Sequence, residues 1–242
     1  ALRAVSAEEL SALVATEETL PRRLLDFAAK RYIRKHPHVV EGVIPQPIPH
    51  SDFRTPEYTR FPTIQSKKWE STRGMSHSFG FNRNDSEADY ATPEQLLSDF
   101  IDGASKGGNL LLNVGPRGTD GGIPDEQLAR LKFFGDWLAV NGAAVYGTTP
   151  WKRDGTDCSD TQTDTGMPVR FTRSGNDIHI IPLGAPAGGS LRLRNVRLSG
   201  QARLVADGSP VALRQEANDL VVDFAKPLVG NFAPAVTVST LE

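Results

Sequence analysis

Ser105–Pro124 reads SKGGNLLLNVGPRGTDGGIP, and this stretch decides the fold. Leu110, Leu111 and Leu112 form a continuous apolar block rather than an alternating one. That is the pattern of a strand buried on both faces, as in a parallel sheet covered by helices. Gly115-Pro116 ends the strand, and Gly118–Gly122 (GTDGG) reads as a mobile turn. In sheets of this kind ligands collect at the loops that follow the carboxyl ends of the strands. The asparagines at either end of the leucine block, Asn109 and Asn113, pose the question of whether this loop serves a site.

Working outward, Thr92-Pro-Glu-Gln95 has the spacing of a capping box and opens a helix. Its stripe is Leu96, Leu97, Phe100, Ile101 and Ala104, and Gly107 suits the C′ position. Beyond the loop a helix starts near Pro124, carries Leu128, Leu131, Phe134 and Leu138, and ends at Asn141-Gly142. Upstream, Ser6–Glu9 is another capping box, and Pro21 opens a helix whose Leu24, Leu25, Ala28 and Tyr32 share a face. Val39-Val40 suggests a strand before the proline-rich GVIPQPIPHSDF. Residues 1–150 therefore read as strand–helix units, roughly half of a (β/α) barrel. Residues 151–242 change character. PVRFTRSGNDIHIIPLG is a hairpin signal, and LRLRNVRL, ARLVA, LVVDF and AVTVSTL continue the strand pattern. The expected fold class is α/β plus all-β: a partial barrel followed by a C-terminal antiparallel β-sandwich.

Composition narrows the function. A formal charge of −2 over 242 residues gives no electrostatic case for nucleic acid or an anionic membrane. The single cysteine, Cys158, excludes an intrachain disulfide and a cysteine-rich metal site. No apolar run reaches the length of a membrane span, and ALRAVSAEEL lacks the basic start and apolar stretch of a signal peptide. The compartment is left open. GPRGTDGG lacks the spacing and the Gly-Lys-Ser/Thr ending of a phosphate-cradling loop.

TPEY (55–58), KKWESTRGMSHSFGFNRN (67–84), the opening stretch through Gln127, and FFGDWLAVNGAAVYGTTPW (133–151) closely resemble glycoside hydrolase family 29, the α-L-fucosidases. The resemblance implies a barrel followed by a sandwich, hydrolysis of terminal α-L-fucose with retention, a fucosylated glycan or fucoside as substrate, and neither metal nor cofactor. Chains of that family are longer at the amino end, and the first half of their barrel has no counterpart here. Retaining glycosidases use two carboxyl groups about 5–5.5 Å apart, one nucleophile and one acid/base. The resemblance puts the acid/base at Glu57, with Glu70 as the alternative. Taken alone, Glu57 is a loop glutamate of the ordinary solvated kind, and Glu70 a structural carboxylate beside Arg73. The family's nucleophile is an aspartate. An ungapped match places Ala15-Thr16-Glu17 on its motif, making Glu17 the nucleophile candidate and Glu18 the alternative, against a plain capping role before Pro21. Where the family commonly has an Asn-Asp-Arg run, Pro45 stands near the arginine's place, while His50 keeps a position able to meet sugar hydroxyls. Phe79 matches an aromatic that packs on the sugar, and Trp69 is a candidate for shaping the pocket floor; both would otherwise be core aromatics.

Half a barrel exposes sheet edges and an apolar inner face. The expectation is a homo-oligomer in which neighbouring copies cover that face and complete the pocket. The alternatives are a non-catalytic fucose- or glycan-binding descendant and a fragment of a longer fucosidase.

Overall fold

The computed structural model describes residues 53–153, 155–228 and 230–240. The helices expected from Ser6 and Pro21 and the strand at Val39-Val40 lie outside the described residues. Phe53–Glu242 form one compact unit.

The leucine block is a strand. β2, Gly108–Leu112, pairs in parallel with β1, Trp69–Arg73, in the register Trp69↔Gly108 to Arg73↔Leu112. On the other side of β1, residues 54–58 run parallel to it through the bridges Arg54↔Trp69 and Glu57↔Thr72. Pro56 contributes only its carbonyl to this ladder, accepting the Thr72 N–H at 3.0 Å. Among the described residues this segment is the edge of the small sheet, a position that tolerates proline.

Helix α1, Pro93–Ser105, begins at the expected capping box. The Gln95 N–H donates to Thr92 Oγ1 at 3.1 Å, and the Thr92 N–H donates to Gln95 Oε1 at 2.9 Å. Leu96, Leu97 and Ile101 are fully buried, and Gly107 follows the helix at φ +83°. Helix α2, Asp125–Asn141, turns most of the expected face inward, with Phe134 buried and Leu131 and Leu138 packed against the same core. Leu128 is 46% exposed, whereas Gln127, Arg130, Phe134, Trp137 and Asn141 are buried. The polar members of this set are buried because each clasps a neighbouring segment. Gln127 Oε1 accepts the Gly115 N–H at 2.9 Å, and Asn141 Oδ1 accepts the Ala235 N–H at 3.1 Å. Arg130 donates to the Ala91 carbonyl at 2.7 Å and to Glu87 at 2.8 Å, which holds the Glu87 carboxyl below its ordinary pKa.

The C-terminal region is rich in antiparallel sheet. Among the described residues its eight strands are β3 (Thr149–Pro150), β4 (Val169–Ser174), β5 (Asp177–Pro182), β6 (Ser190–Leu193), β7 (Gln201–Leu204), β8 (Pro210–Glu216), β9 (Asp219–Phe224) and β10 (Val236–Ser239). They form one hydrogen-bonded sheet in the order β3-β4-β5-β10-β7-β8-β9-β6. The expected hairpin is β4–β5, joined across Gly175-Asn176. Strand β8, PVALRQE, was not legible in advance because it opens on proline and ends in polar residues. Residues of β4 and β6, far apart in strand order, share one apolar core, so the sheet curls over on itself. The segment around Gln162-Thr163 bridges both Pro168, at the start of β4, and Leu193 of β6.

The outer face of β5 and the segment leading into β10 meet the helices, with Ile181 and Ala235 in the same core as Leu96, Ile101 and Phe134. Trp137 Nε1 donates to the Ala233 carbonyl at 3.0 Å. A buried ion cluster adds to this seam: Asp102 of α1 accepts from Lys106 Nζ at 2.7 Å and from Arg170 Nε of β4 at 2.5 Å. Burial pushes the Lys106 pKa down, and its bonds to Asp102 oppose that shift. Among the described residues no helix is long and apolar enough to cross a membrane.

Candidate active site

Strand alternation sorts the residues of the small parallel sheet onto two sides. Trp69, Ser71 and Arg73 share a side with their register partners Gly108, Leu110 and Leu112. This is the helix-facing side, where Leu110 and Leu112 pack into the core with α1. Glu70 and Thr72 lie on the opposite side with their partners Asn109 and Leu111. Glu57, bridged to Thr72, belongs to that side as well. Burial of β2 on both faces, expected from its leucine block, is not what the structure has: Leu111 is 51% exposed. The block is apolar throughout, yet only the helix-facing side has a described partner.

Glu57 and Glu70 therefore share the open side at different depths. Glu57 is level with Thr72, two residues beyond Glu70, and so about 7 Å nearer the carboxyl ends of the strands. Its carbonyl accepts the Thr59 hydroxyl at 2.8 Å, and the carboxylate is exposed to solvent. Glu70 does not sit beside Arg73, because three residues of strand put the two on opposite sides. Arg73 pairs instead with Asp99 of α1.

Two loops close over the carboxyl ends. The first, after β1, carries Phe79, which is half-buried and meets the Tyr58 ring edge-on at 5.4 Å. The second, after β2, begins at Asn113, whose Nδ2 donates to the Phe79 carbonyl at 2.5 Å and the Val114 carbonyl at 3.1 Å. Asn113 thus fixes the loop that presents Phe79. The GTDGG turn is tied to itself: Arg117 and Asp120 pair at 3.1 Å, and the Gly122 N–H donates to Asp120 Oδ1 at 2.9 Å. The Arg117 hydrogen bond keeps the Asp120 carboxyl below its ordinary pKa.

Trp69 is not on this face. It is 2% exposed, lies against Gly103 of α1 and Gly108 of β2, and donates from Nε1 to the Lys106 carbonyl at 3.2 Å. A tryptophan on an odd position of β1 belongs to the helix seam and cannot form a pocket floor. Glu17, Glu18 and His50 lie outside the described residues. Asp99, which pairs with Arg73 and Arg60, carries no motif of its own in the sequence. Only the place of Tyr58 beside Glu57 in TPEY pointed that way.

A cleft of about 740 Å³ in the sheet region is lined by Arg153, Arg194, Arg197 and neighbouring polar residues, and it shares no residue with this face. Its carboxylates are Asp157 and Asp160, of which Asp157 is taken up by the Ile64 and Ser159 N–H groups, and it has no aromatic lining. Among the described residues no group of three or more His, Cys, Asp or Glu side chains could hold a metal ion.

The exposed Glu57 carboxylate thus stands at the carboxyl end of a parallel segment, with Phe79 and Asn113 on the loops that follow β1 and β2. The comparisons give the particular family. A family profile described as Alpha-L-fucosidase matches residues 19–143, and the chain belongs to that family. It is 37% identical over 131 residues to an alpha-L-fucosidase of Branchiostoma floridae, covering 54% of this chain and 27% of that one. With the human plasma alpha-L-fucosidase it shares 32% over 164 residues, 64% of this chain and 33% of that one. Among solved structures, Thermotoga maritima alpha-fucosidase in complex with a mechanism-based inhibitor superposes with a TM-score of 0.72 at 38% identity. That match covers 89% of this chain and 49% of the other, so it extends into the curled sheet. The chain spans about a third or less of the length of these curated relatives and about half that of the solved structure.

Proposed function

We propose that this chain carries one part of a retaining α-L-fucosidase site, acting on terminal α-L-fucosyl groups of a fucosylated glycan or fucoside. The parallel segment, with residues 1–150 as its domain, is then a partial (β/α) barrel, and residues 151–242 form a sandwich-type domain. The observation that carries the reading is the placement of Glu57. It stands at the carboxyl end of a parallel segment, on the open side of the sheet, within a chain of fucosidase sequence.

In the first step a carboxylate nucleophile attacks the anomeric carbon while Glu57 gives its proton to the departing glycosidic oxygen. In the second, Glu57 takes a proton from water, the water oxygen bonds to the anomeric carbon, and the bond to the nucleophile breaks. Glu17 or Glu18 is the proposed nucleophile, with Glu70 the alternative acid/base. Phe79 offers an apolar surface to the methyl group of the 6-deoxy sugar, as His50 offers a hydrogen bond to its hydroxyls. The exposure of Leu111 supports a further element over the open side, and a second copy of this chain is proposed to supply it.

The test is fucose release from an aryl α-L-fucoside, with Glu57→Gln and Glu17→Gln alongside. Each substitution is expected to lower kcat by about 10²–10⁴-fold. Turnover that survives both would overturn the assignment. Sedimentation of the chain at micromolar concentration should give more than the monomer mass, and a folded monomer with full turnover would exclude completion by a second copy.

A further inference from the structure

Tyr58 directly follows Glu57 and adopts φ +48°. A bulky aromatic takes up this left-handed conformation only where its surroundings hold it there. The holding contacts are on the helix-facing side. The Tyr58 hydroxyl accepts the Gly74 N–H at 3.0 Å and donates to the Ser76 carbonyl at 3.4 Å. Gly74 leaves room for this approach and for the backbone beyond it: a Cβ there would lie 2.2 Å from the Ser78 carbonyl oxygen and 2.9 Å from the Tyr58 hydroxyl. Arg73 places its guanidinium 5.4 Å from the Tyr58 ring centroid. Asp99 of α1 then takes Arg73 with one carboxylate oxygen and Arg60 with the other. Arg60 lies two residues beyond Tyr58, so one carboxylate grips both β1 and the chain that leaves Tyr58. The Asp99 side chain is 11% exposed and that of Arg73 17%, which shields this arm from solvent, whereas the Arg60 arm is solvent-facing.

We infer that Asp99 is a positioning residue for Glu57, acting through Arg73, Arg60 and Tyr58. This rests on the reading of Glu57 as the acid/base. With Tyr58 fastened on one side of the segment, the preceding residue is left to face the other, and the Glu57 carboxyl is aimed without a side-chain bond to any described residue. Proton delivery needs that aim, since misplacing a catalytic group by about 1 Å lowers a rate on the order of 10²-fold. Asp99 never touches the sugar, so its removal should move kcat more than KM.

The test uses the full chain with Asp99→Asn, which weakens both arms, and Arg60→Gln, which removes only the solvent-facing one. Amide exchange reads the anchor directly. In Asp99→Asn the Tyr58 N–H, bonded to the Thr72 carbonyl, and the Gly74 N–H, bonded to the Tyr58 hydroxyl, should exchange at least about tenfold faster. Arg60→Gln should show a smaller rise. The amides of Leu97 to Ile101 and of β10 should stay within about twofold of the parent. Unchanged exchange at Tyr58 and Gly74 would overturn the inference, as would a uniform rise across the molecule, because Asp99 would then serve only general stability. With an aryl fucoside, Asp99→Asn should lower kcat about tenfold or more with KM within about twofold. Should Glu57→Gln keep full turnover, the acid/base reading falls, while the exchange result still decides the anchor.

Discussion

The two sides of the β1–β2 sheet are built from the same few residues and behave in opposite ways. On the helix-facing side every large group is engaged: Trp69 against α1, Arg73 with Asp99, Leu110 and Leu112 in the core. On the other side stand Glu57, Glu70, Asn109 and an exposed Leu111. The contrast shows that sequence neighbours divide the labour: odd positions of β1 fix the strand, and even ones are available for chemistry. It also explains why a tryptophan and a glutamate adjacent in KWE have unrelated roles.

Substitutions on the closed side and its seam should therefore be felt in stability, and those on the open side hardly at all. The largest stability effect is expected for Asp102→Ala, which leaves Lys106 and Arg170 buried without their shared partner. It should cost about 3–5 kcal/mol in denaturant unfolding. A loss below 1 kcal/mol would mean that the seam between α1 and β4 is not held by this cluster. Next is Gly108→Ala, whose Cβ would lie 2.2 Å from Trp69 Cε2 and would force the ring out of its seat. About 1–3 kcal/mol is expected, together with a change in tryptophan fluorescence. Thr92→Ala removes the acceptor for the Gln95 N–H and should lower stability by about 1 kcal/mol. On the open side Leu111→Ser should stay within about 0.5 kcal/mol for the isolated chain. A large loss there would show that this face is covered, and dilution should then make the loss concentration-dependent.

Acidification probes the outer face of the curled sheet separately. His179 is buried, its Nδ1 lies 2.9 Å from Thr237 Oγ1, and burial pushes its pKa down. The unfolded chain therefore takes up this proton first. Stability should fall as pH drops below about 6.5, the ordinary value for the unfolded chain, and His179→Leu should flatten that slope.

Much of this was legible in the sequence, for identifiable reasons. The capping box at Thr92, the stripe on α1 and the turn at Gly175-Asn176 are local signals, and local chemistry made them. Of the stripe on α2 only Leu128 was misplaced; Gln127, Arg130 and Asn141 were missed because they are buried by what they bond, and apolar periodicity does not register such partners. The leucine block could be read as apolar but not as one-sided, since that depends on what lies across the sheet. Glu57 and Phe79 were found through the family resemblance. Asp99 and Tyr58 were not, because a carboxylate gripping one arginine of a strand and another of a loop has no spacing in the chain.

The central claim is that Glu57 delivers the proton to the leaving oxygen, and its dependence on the leaving group tests this most directly. Hydrolysis by Glu57→Gln should be compared for an alkyl α-L-fucoside, which needs protonation, and a 2,4-dinitrophenyl α-L-fucoside, which does not. The account predicts a loss of about 10²–10⁴-fold in kcat/KM on the first and a far smaller loss on the second. Equal losses on both substrates, or none on either, would contradict it.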